Sequence, residues 1–210
     1  MPLRYHALLL PGLLAVAMIG GSCARSDRGT GPGVGPRAQG TPASPRVIGF
    51  GARVPKGGGR YKVGGPYQVD GVWYRPADEP GYDRVGIASY YSTQFHGRRT
   101  ANGEIFDMGA LTAAHNTLPM PSYVYVTNLA NGRTLLLRVN DRGPFVANRV
   151  IDLSHAAARH LGLEHHGTGR VRVRYAGRAP LSGDDTHEQR FLASQPWARS
   201  RTAASWLGGR

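Results

Sequence analysis

Short strand-like runs of apolar and aromatic residues, separated by turn residues, fill the middle of the chain. Tyr123, Val124, Tyr125, Val126 and Thr127 form one run, and Thr134 to Val139 form another. Residues of this kind suit a pleated, half-buried surface. Asn131-Gly132 stands between the two runs, and both residues tolerate positive φ, so the pair predicts a tight hairpin turn. Ile87 to Tyr91, Leu111 to Ala114 and Val171 to Tyr175 supply further strands. One helix stands out, with Ser154 as N-cap, HAAARHLG behind it and Gly162 as the stop. Five or more short strands with one short helix predict a mainly β fold, a small barrel over residues 85–176.

The flanks read differently. Residues 1–22 have the form of an export signal: Arg4 in a short basic start, an apolar run from Ala7 to Ile19, then Gly20, Gly21 and Ser22. That run is broken by Pro11 and Gly12 and is too short to span a bilayer core of about 30 Å. Cys23 follows, and it resembles the lipid-modified first residue of a mature bacterial lipoprotein, although Gly20 replaces the usual aliphatic residue. The alternative is an ordinary secretory signal with an incidental cysteine. Because Cys23 is the only cysteine, an intramolecular disulfide is impossible. Residues 23–45 are rich in Gly, Pro, Ser and Thr and are expected to be a flexible, lipid-anchored linker. Residues 46–84, with the word YKVGGPYQVDGVWYRP, form a lead-in arm expected to pack on the barrel as a hairpin or an extended strap. Residues 177–210 are expected to be an irregular tail, so the barrel has disordered segments on both sides.

Charge narrows the partners. With 26 Lys and Arg against 13 Asp and Glu, the chain is strongly basic, which bears on partners and encounter rate rather than on fold. Nucleic acid is the first guess for such a chain. The arginines, however, are scattered over loops and strands with no helix or zinc-finger pattern to organise them. An anionic cell wall or lipid surface is the better match, and no nucleic acid partner is expected. His155, His160, His165 and His166 raise the question of a metal. Their spacing does not put two imidazoles one helical turn apart, no cysteine lies nearby, and no zinc-hydrolase motif is present. No metal and no cofactor are expected.

Candidate chemistry is crowded between Gly86 and Tyr175. Glu104, His115 and Asp141 fall in three separate pieces of this stretch, each beside a glycine, a turn or a strand end, which predicts a site assembled from several strands. Asp141 ends a strand just before Arg142-Gly143-Pro144, where a turn would present a carboxyl at a barrel rim; it could equally organise that turn or pair with Arg142. Glu104 follows the Asn102-Gly103 turn and either raises the pKa of Asp141 by a like-charge contact, accepts a proton itself, or is a solvated loop residue. His115 closes LTAAH and either orients Asp141 or is a satisfied structural group. Tyr90, Tyr91, Phe95 and His96 form an aromatic cluster suited to sugar faces or to core packing. Asp152 is expected to cap or brace the helix that begins near Ser154.

Five words taken together carry a family resemblance: TANGE from Thr100, LTAAHNTLP from Leu111, VTNLANGR from Val126, RVNDRGPF from Arg138 and IDLS from Ile151. They resemble the rare lipoprotein A family, septal-ring lytic transglycosylases of the bacterial envelope. The resemblance implies a six-stranded double-psi β-barrel, a topology that periodicity does not supply. It also implies cleavage of the MurNAc-GlcNAc β-1,4 bond of peptidoglycan without water. One carboxylic acid protonates the leaving oxygen and the sugar's own 6-hydroxyl closes a 1,6-anhydro ring, where most glycosidases need two carboxylates. Asp141 matches the family's essential aspartate, with Glu104 and His115 assisting. Tyr90, Tyr91, Phe95, His96, Asn140 and Arg142 are the expected substrate-binding set. Where the family usually has Ser-Trp-Tyr-Gly, this chain has Ser89-Tyr90-Tyr91-Ser92, a smaller ring and a lost glycine. The implied partners are peptide-free glycan strands, a membrane reached through Cys23 and proteins of the division septum. The implied location is the periplasmic face of the envelope, with Ala24 favouring the outer membrane over the inner. A non-catalytic, expansin-like wall-binding module and a structural division lipoprotein are the alternatives.

Overall fold

The computed structural model describes residues 44–198. The expected export signal, Cys23 and nearly all of the linker lie outside the described residues. Eight strands and two helices follow in order: β1 (Tyr67–Val69), β2 (Val72–Tyr74), β3 (Asp83–Tyr90), β4 (Thr112–Ala114), β5 (Ser122–Asn128), β6 (Thr134–Asp141), β7 (Arg149–Leu153), α1 (His155–Leu161), β8 (Gly169–Arg178) and α2 (Thr186–Ser194).

Six of these strands close into a barrel in the order β3-β7-β4-β6-β5-β8. The β3–β7 and β4–β6 pairs are parallel and the other four pairs are antiparallel. Closure leaves no strand edge unpaired. This is the mainly β, six-stranded double-psi barrel expected from the sequence.

Strand alternation fills its interior. Val124 and Val126 of β5, Leu135, Leu137 and Val139 of β6, Ile151 and Leu153 of β7, and Val171 and Val173 of β8 are fully buried in one cluster. On β8 the residues between them, Arg170, Arg172 and Arg174, face outward. The β5–β6 hairpin has the expected strands, but its connection runs over residues 129–133. Gly132 takes the positive φ, at 71°, and donates its N–H to Asn128 O at 2.8 Å. Helix α1 has both expected caps. The Ser154 hydroxyl accepts from the Ala157 N–H at 3.1 Å, and Gly162 adopts the left-handed conformation at the stop. Asn128 and Asn131 each donate to Leu161 O at 2.9 Å, which satisfies the helix end.

Two features depart from the expectation. Strand β7 takes in Ile151-Asp152-Leu153 of the IDLS word, so Asp152, expected to cap or brace the helix, lies in the barrel wall. In addition, the expected irregular tail holds a second helix, α2, which covers the outer face of β6. There Leu136 is fully buried with Tyr123 and Ala179 beneath Phe191. The helix was hard to foresee because its one buried residue is the charged Glu188, whose carboxylate accepts from Tyr123 Oη at 3.3 Å.

The lead-in segment supplies the β1–β2 hairpin, turning at Asp70-Gly71 with both φ values positive. Tyr67 and Tyr74 stack at 5.3 Å between centroids, and each meets Phe145 edge-on. Phe145 directly follows the β6 rim, so the hairpin is fixed beside the end of the strand that carries Asp141.

Candidate active site

A cleft of about 820 Å³ opens over the outer face of β3, β7 and the end of β6. Tyr91, Phe95, Phe106, Asp141, Arg149 and Asp152 line it on the barrel side, and Tyr67 and Phe145 line it on the hairpin side. Tyr91 packs tilted against Phe95 and Phe106 at 5.3 and 5.0 Å, giving the wall a ring surface.

Asp141 lies at the base of the cleft, half-buried. Its Oδ1 accepts from the Ala101 and Arg142 backbone N–H groups, both at 2.8 Å, and its Oδ2 accepts from Tyr91 Oη at 3.1 Å. Burial raises its pKa above the ordinary aspartate value. The two backbone donors, the tyrosine and the Arg142 charge oppose that rise without cancelling it. The Arg142 guanidinium is directed elsewhere. It donates to His115 O at 3.1 Å, Leu118 O at 2.6 Å and Val63 O at 2.6 Å, tying the 115–118 turn to the lead-in arm. Tyr91 stays a phenol, because burial and the charges of Asp141 and Asp152 push its pKa well above 10.

Glu104 is not beside the Asp141 carboxyl. It is buried at 5 % exposure and accepts from Arg138 Nη2 at 2.6 Å and Nε at 3.1 Å, Asn140 Nδ2 at 2.9 Å and Asn102 Nδ2 at 3.0 Å. Burial alone would raise its pKa, but these donors and the Arg138 charge win and hold it below the usual carboxylate range. A group fixed as an anion does not donate protons. Its structural effect is still plain: Glu104 staples the 100–104 turn to β6, and that turn supplies the Ala101 N–H received by Asp141.

His115 is equally enclosed. Its Nδ1 accepts from the Thr117 and Leu118 N–H groups at 3.2 and 3.1 Å, which leaves the ring proton on Nε2, 2.8 Å from Tyr82 Oη. Burial, then the Arg142 charge, pushes its pKa down to about 3. The imidazole is therefore neutral in the folded protein, and its link to Asp141 runs through the backbone, His115 N to Asp141 O at 3.1 Å. This has a consequence for stability. In the unfolded chain the same group binds a proton below about pH 6.5, so the unfolded state gains protons first as pH falls. Folding stability is expected to drop by about 1.4 kcal/mol per pH unit below pH 6.5 from this group, before most carboxylates titrate. Denaturant melts between pH 7 and 5 should show that slope, and His115→Gln should flatten it.

Of the expected substrate-binding set, Tyr90, Tyr91, Phe95 and Arg142 line the cleft, whereas His96 and Asn140 are buried away from it. His96 Nδ1 accepts from the Met108 N–H at 3.3 Å, and Asn140 serves Glu104. Sequence reasoning missed Tyr67, Phe145, Ser89, Arg149 and Asp152. For Asp152 a signal was present: in Ile151-Asp152-Leu153 the outer two residues enter the core, which turns the aspartate to the opposite face.

Residues 83–175, the barrel itself, match the family model described as lytic transglycolase. Over these residues the chain is similar to proteins of the rare lipoprotein A family. The chain is 59% identical over 109 residues to the endolytic peptidoglycan transglycosylase RlpA of Pseudomonas aeruginosa, covering 51% of this chain and 32% of that protein. It is 45% identical over 159 residues to the RlpA protein of the same description from Vibrio cholerae, covering 70% of this chain and 60% of that one. The Pasteurella multocida RlpA protein is 56% identical over 110 residues, 51% of this chain and 37% of that protein. The chain thus spans about a third of the length of the Pseudomonas and Pasteurella relatives.

Proposed function

We propose that this chain is a lytic transglycosylase that cuts the MurNAc-GlcNAc β-1,4 bond of peptidoglycan and leaves 1,6-anhydro-MurNAc ends. The observation that carries this reading is the Asp141 carboxyl, oriented by three donors at the base of a ring-lined cleft, with burial favouring its protonated form. The match of the barrel to the lytic transglycolase family model supports it, as does similarity to relatives described as endolytic peptidoglycan transglycosylases. Asp141 exchanges protons with the reacting oxygens, acting as acid towards the leaving sugar and as base towards the 6-hydroxyl. Tyr91, Phe95 and Phe145 offer ring faces to the sugars. Arg98, Arg99 and Arg149 place positive charge along the cleft, which suits the lactyl carboxylate of a muramic acid stripped of its peptide. Glu104 and His115 act as positioning residues, holding the turns that aim donors at Asp141. Tyr90 and Arg142 border the glycan path, while Asn140 and His96 support it from behind.

The substrate is expected to be peptide-free glycan, met on the periplasmic face of the envelope after export. Lipidation at Cys23, retention at the outer membrane and partners at the division septum belong to the same reading. The test is digestion of peptide-free glycan strands by the purified full chain, with mass spectrometry of the products. Anhydro-muramic ends support the proposal. Strands that stay intact while retaining the protein in a pull-down would make it a wall-binding module instead.

A further inference from the structure

Across the outer face of the barrel runs a row that the reaction as described so far uses only in part. Asp141 on β6 pairs with Ala114 on β4, just past a register shift between Ala113 and Ala114. Ala114 pairs with Asp152 on β7, and Asp152 pairs with Ser89 on β3. Paired residues on neighbouring strands point to the same face, so two carboxylic acids stand on either side of one alanine. Two strand spacings of about 4.8 Å separate their backbones. The side chain between them is the small, fully buried Ala114. Gly143 lies against this gap: a Cβ there would be in ordinary contact, 3.7 Å from Asp152 Oδ2 and 3.9 Å from the Ala114 Cβ. Both aspartates line the same cleft.

Asp152 has no structural duty of the kind expected for it. Ser154, not Asp152, caps α1. Among the described residues the Asp152 carboxyl has one side-chain donor, the Ser89 hydroxyl, which in turn accepts from Arg149 Nη1 at 3.0 Å. Asp141 has three donors. Every donor to a carboxylate favours the anion, so the two environments differ in the direction that separates an acid from a base.

We propose that Asp152 is a second catalytic carboxyl of this cleft, supplying the proton to the leaving sugar oxygen while Asp141 receives the proton of the attacking hydroxyl. This rests on the transglycosylase reading above and divides between two groups what one carboxyl would otherwise do in turn. The Asp152 proton passes to the glycosidic oxygen as its bond to C1 of the muramic acid breaks. The 6-hydroxyl oxygen forms the new bond to C1, and its proton passes to the Asp141 carboxylate. No water is consumed and nothing is oxidised. Exchange with solvent at the open cleft returns each group to its starting form. Burial raises the pKa of Asp152, against the Ser89 bond and the Arg149 charge, which suits an acid. The other groups around it are Tyr91 beside β3, Asp141 and the outward-tied Arg142 at the end of β6, and uncharged Ala114 on β4.

The full chain carrying Asp152→Asn would be assayed on peptide-free glycan and on a muramic acid aryl glycoside, whose phenolate leaves without needing a proton. Anhydro-product formation from glycan is expected to fall ~10²–10⁴-fold, while the aryl substrate is cleaved at a rate close to wild type. Asp141→Asn should be slow on both. Cleavage of glycan by Asp152→Asn within a few-fold of wild type, or loss on both substrates in a folded variant, would overturn the assignment. A wild-type chain giving no anhydro ends on either substrate would sink the transglycosylase reading itself, a distinct failure. If Asp152→Asn does not fold, Arg149→Gln keeps the question open to test. Removing the positive charge raises the pKa of Asp152, so the alkaline limb of the rate profile should move to higher pH. A limb that does not move counts against the proposal.

Discussion

Asp141→Asn is expected to lower anhydro-product formation by ~10²–10⁴-fold, the range usual for loss of a positioned acid–base group, while the protein stays folded and still binds glycan. The replacement suits the site. The Asn carbonyl oxygen can take the place of Oδ1 and accept from the Ala101 and Arg142 N–H groups, and its amide then faces the Tyr91 hydroxyl, which is able to accept. Only the exchangeable proton is lost. Thermal melts and pull-downs with peptide-free glycan should therefore match wild type when product formation does not. A variant that binds poorly, or one that melts early, would show that the carboxylate serves the fold instead.

The largest stability effect is expected at Arg138→Met. The guanidinium is buried with Glu104, and both side chains are close to 5 % exposed. Removing it leaves a carboxylate with two amide donors and no opposite charge, a change that costs about 3–5 kcal/mol in comparable buried pairs. For a chain of this size that lowers the melting temperature on the order of 10 °C. Combining it with Glu104→Gln removes the stranded charge and should recover much of the loss, because residues in one network do not act additively. Turnover should fall in the single variant even at temperatures where it is folded. The 100–104 turn would no longer be stapled to β6, and the Ala101 donor to Asp141 would drift. A loss below about 1 kcal/mol would mean that the pair is not the tie described here.

Much of the barrel can be read from local pattern. The β5–β6 hairpin follows from two strand-forming runs around Asn131-Gly132, and α1 follows from a serine cap and a glycine stop, because these signals act within a few residues. Strand β7 is harder: it is five residues long, contains an aspartate, and runs straight into the Ser154 cap, so IDLS looks like a helix entry. Helix α2 is harder still, since it is held by Tyr123, Tyr125 and Leu136, residues more than fifty positions earlier in the chain. The site divides in the same way. Asp141 was legible as a strand-end acid. The roles of Glu104 and His115 were not, because Arg138, which holds Glu104 as an anion, lies 34 residues away, and Arg142, whose charge adds to burial in keeping His115 neutral, lies 27 residues away. The hairpin wall with Tyr67 and Phe145 required knowing that the lead-in arm folds over the rim of β6.

Digestion of peptide-free glycan in water enriched in heavy oxygen tests the central claim most directly. The full chain and Asp141→Asn would be run side by side, with the new chain ends weighed by mass spectrometry. The account predicts 1,6-anhydro ends from wild type, each lighter than a hydrated end by one water and free of the heavy isotope, and next to none from the variant. Heavy oxygen in the new reducing ends, or equal cleavage by Asp141→Asn, would contradict it.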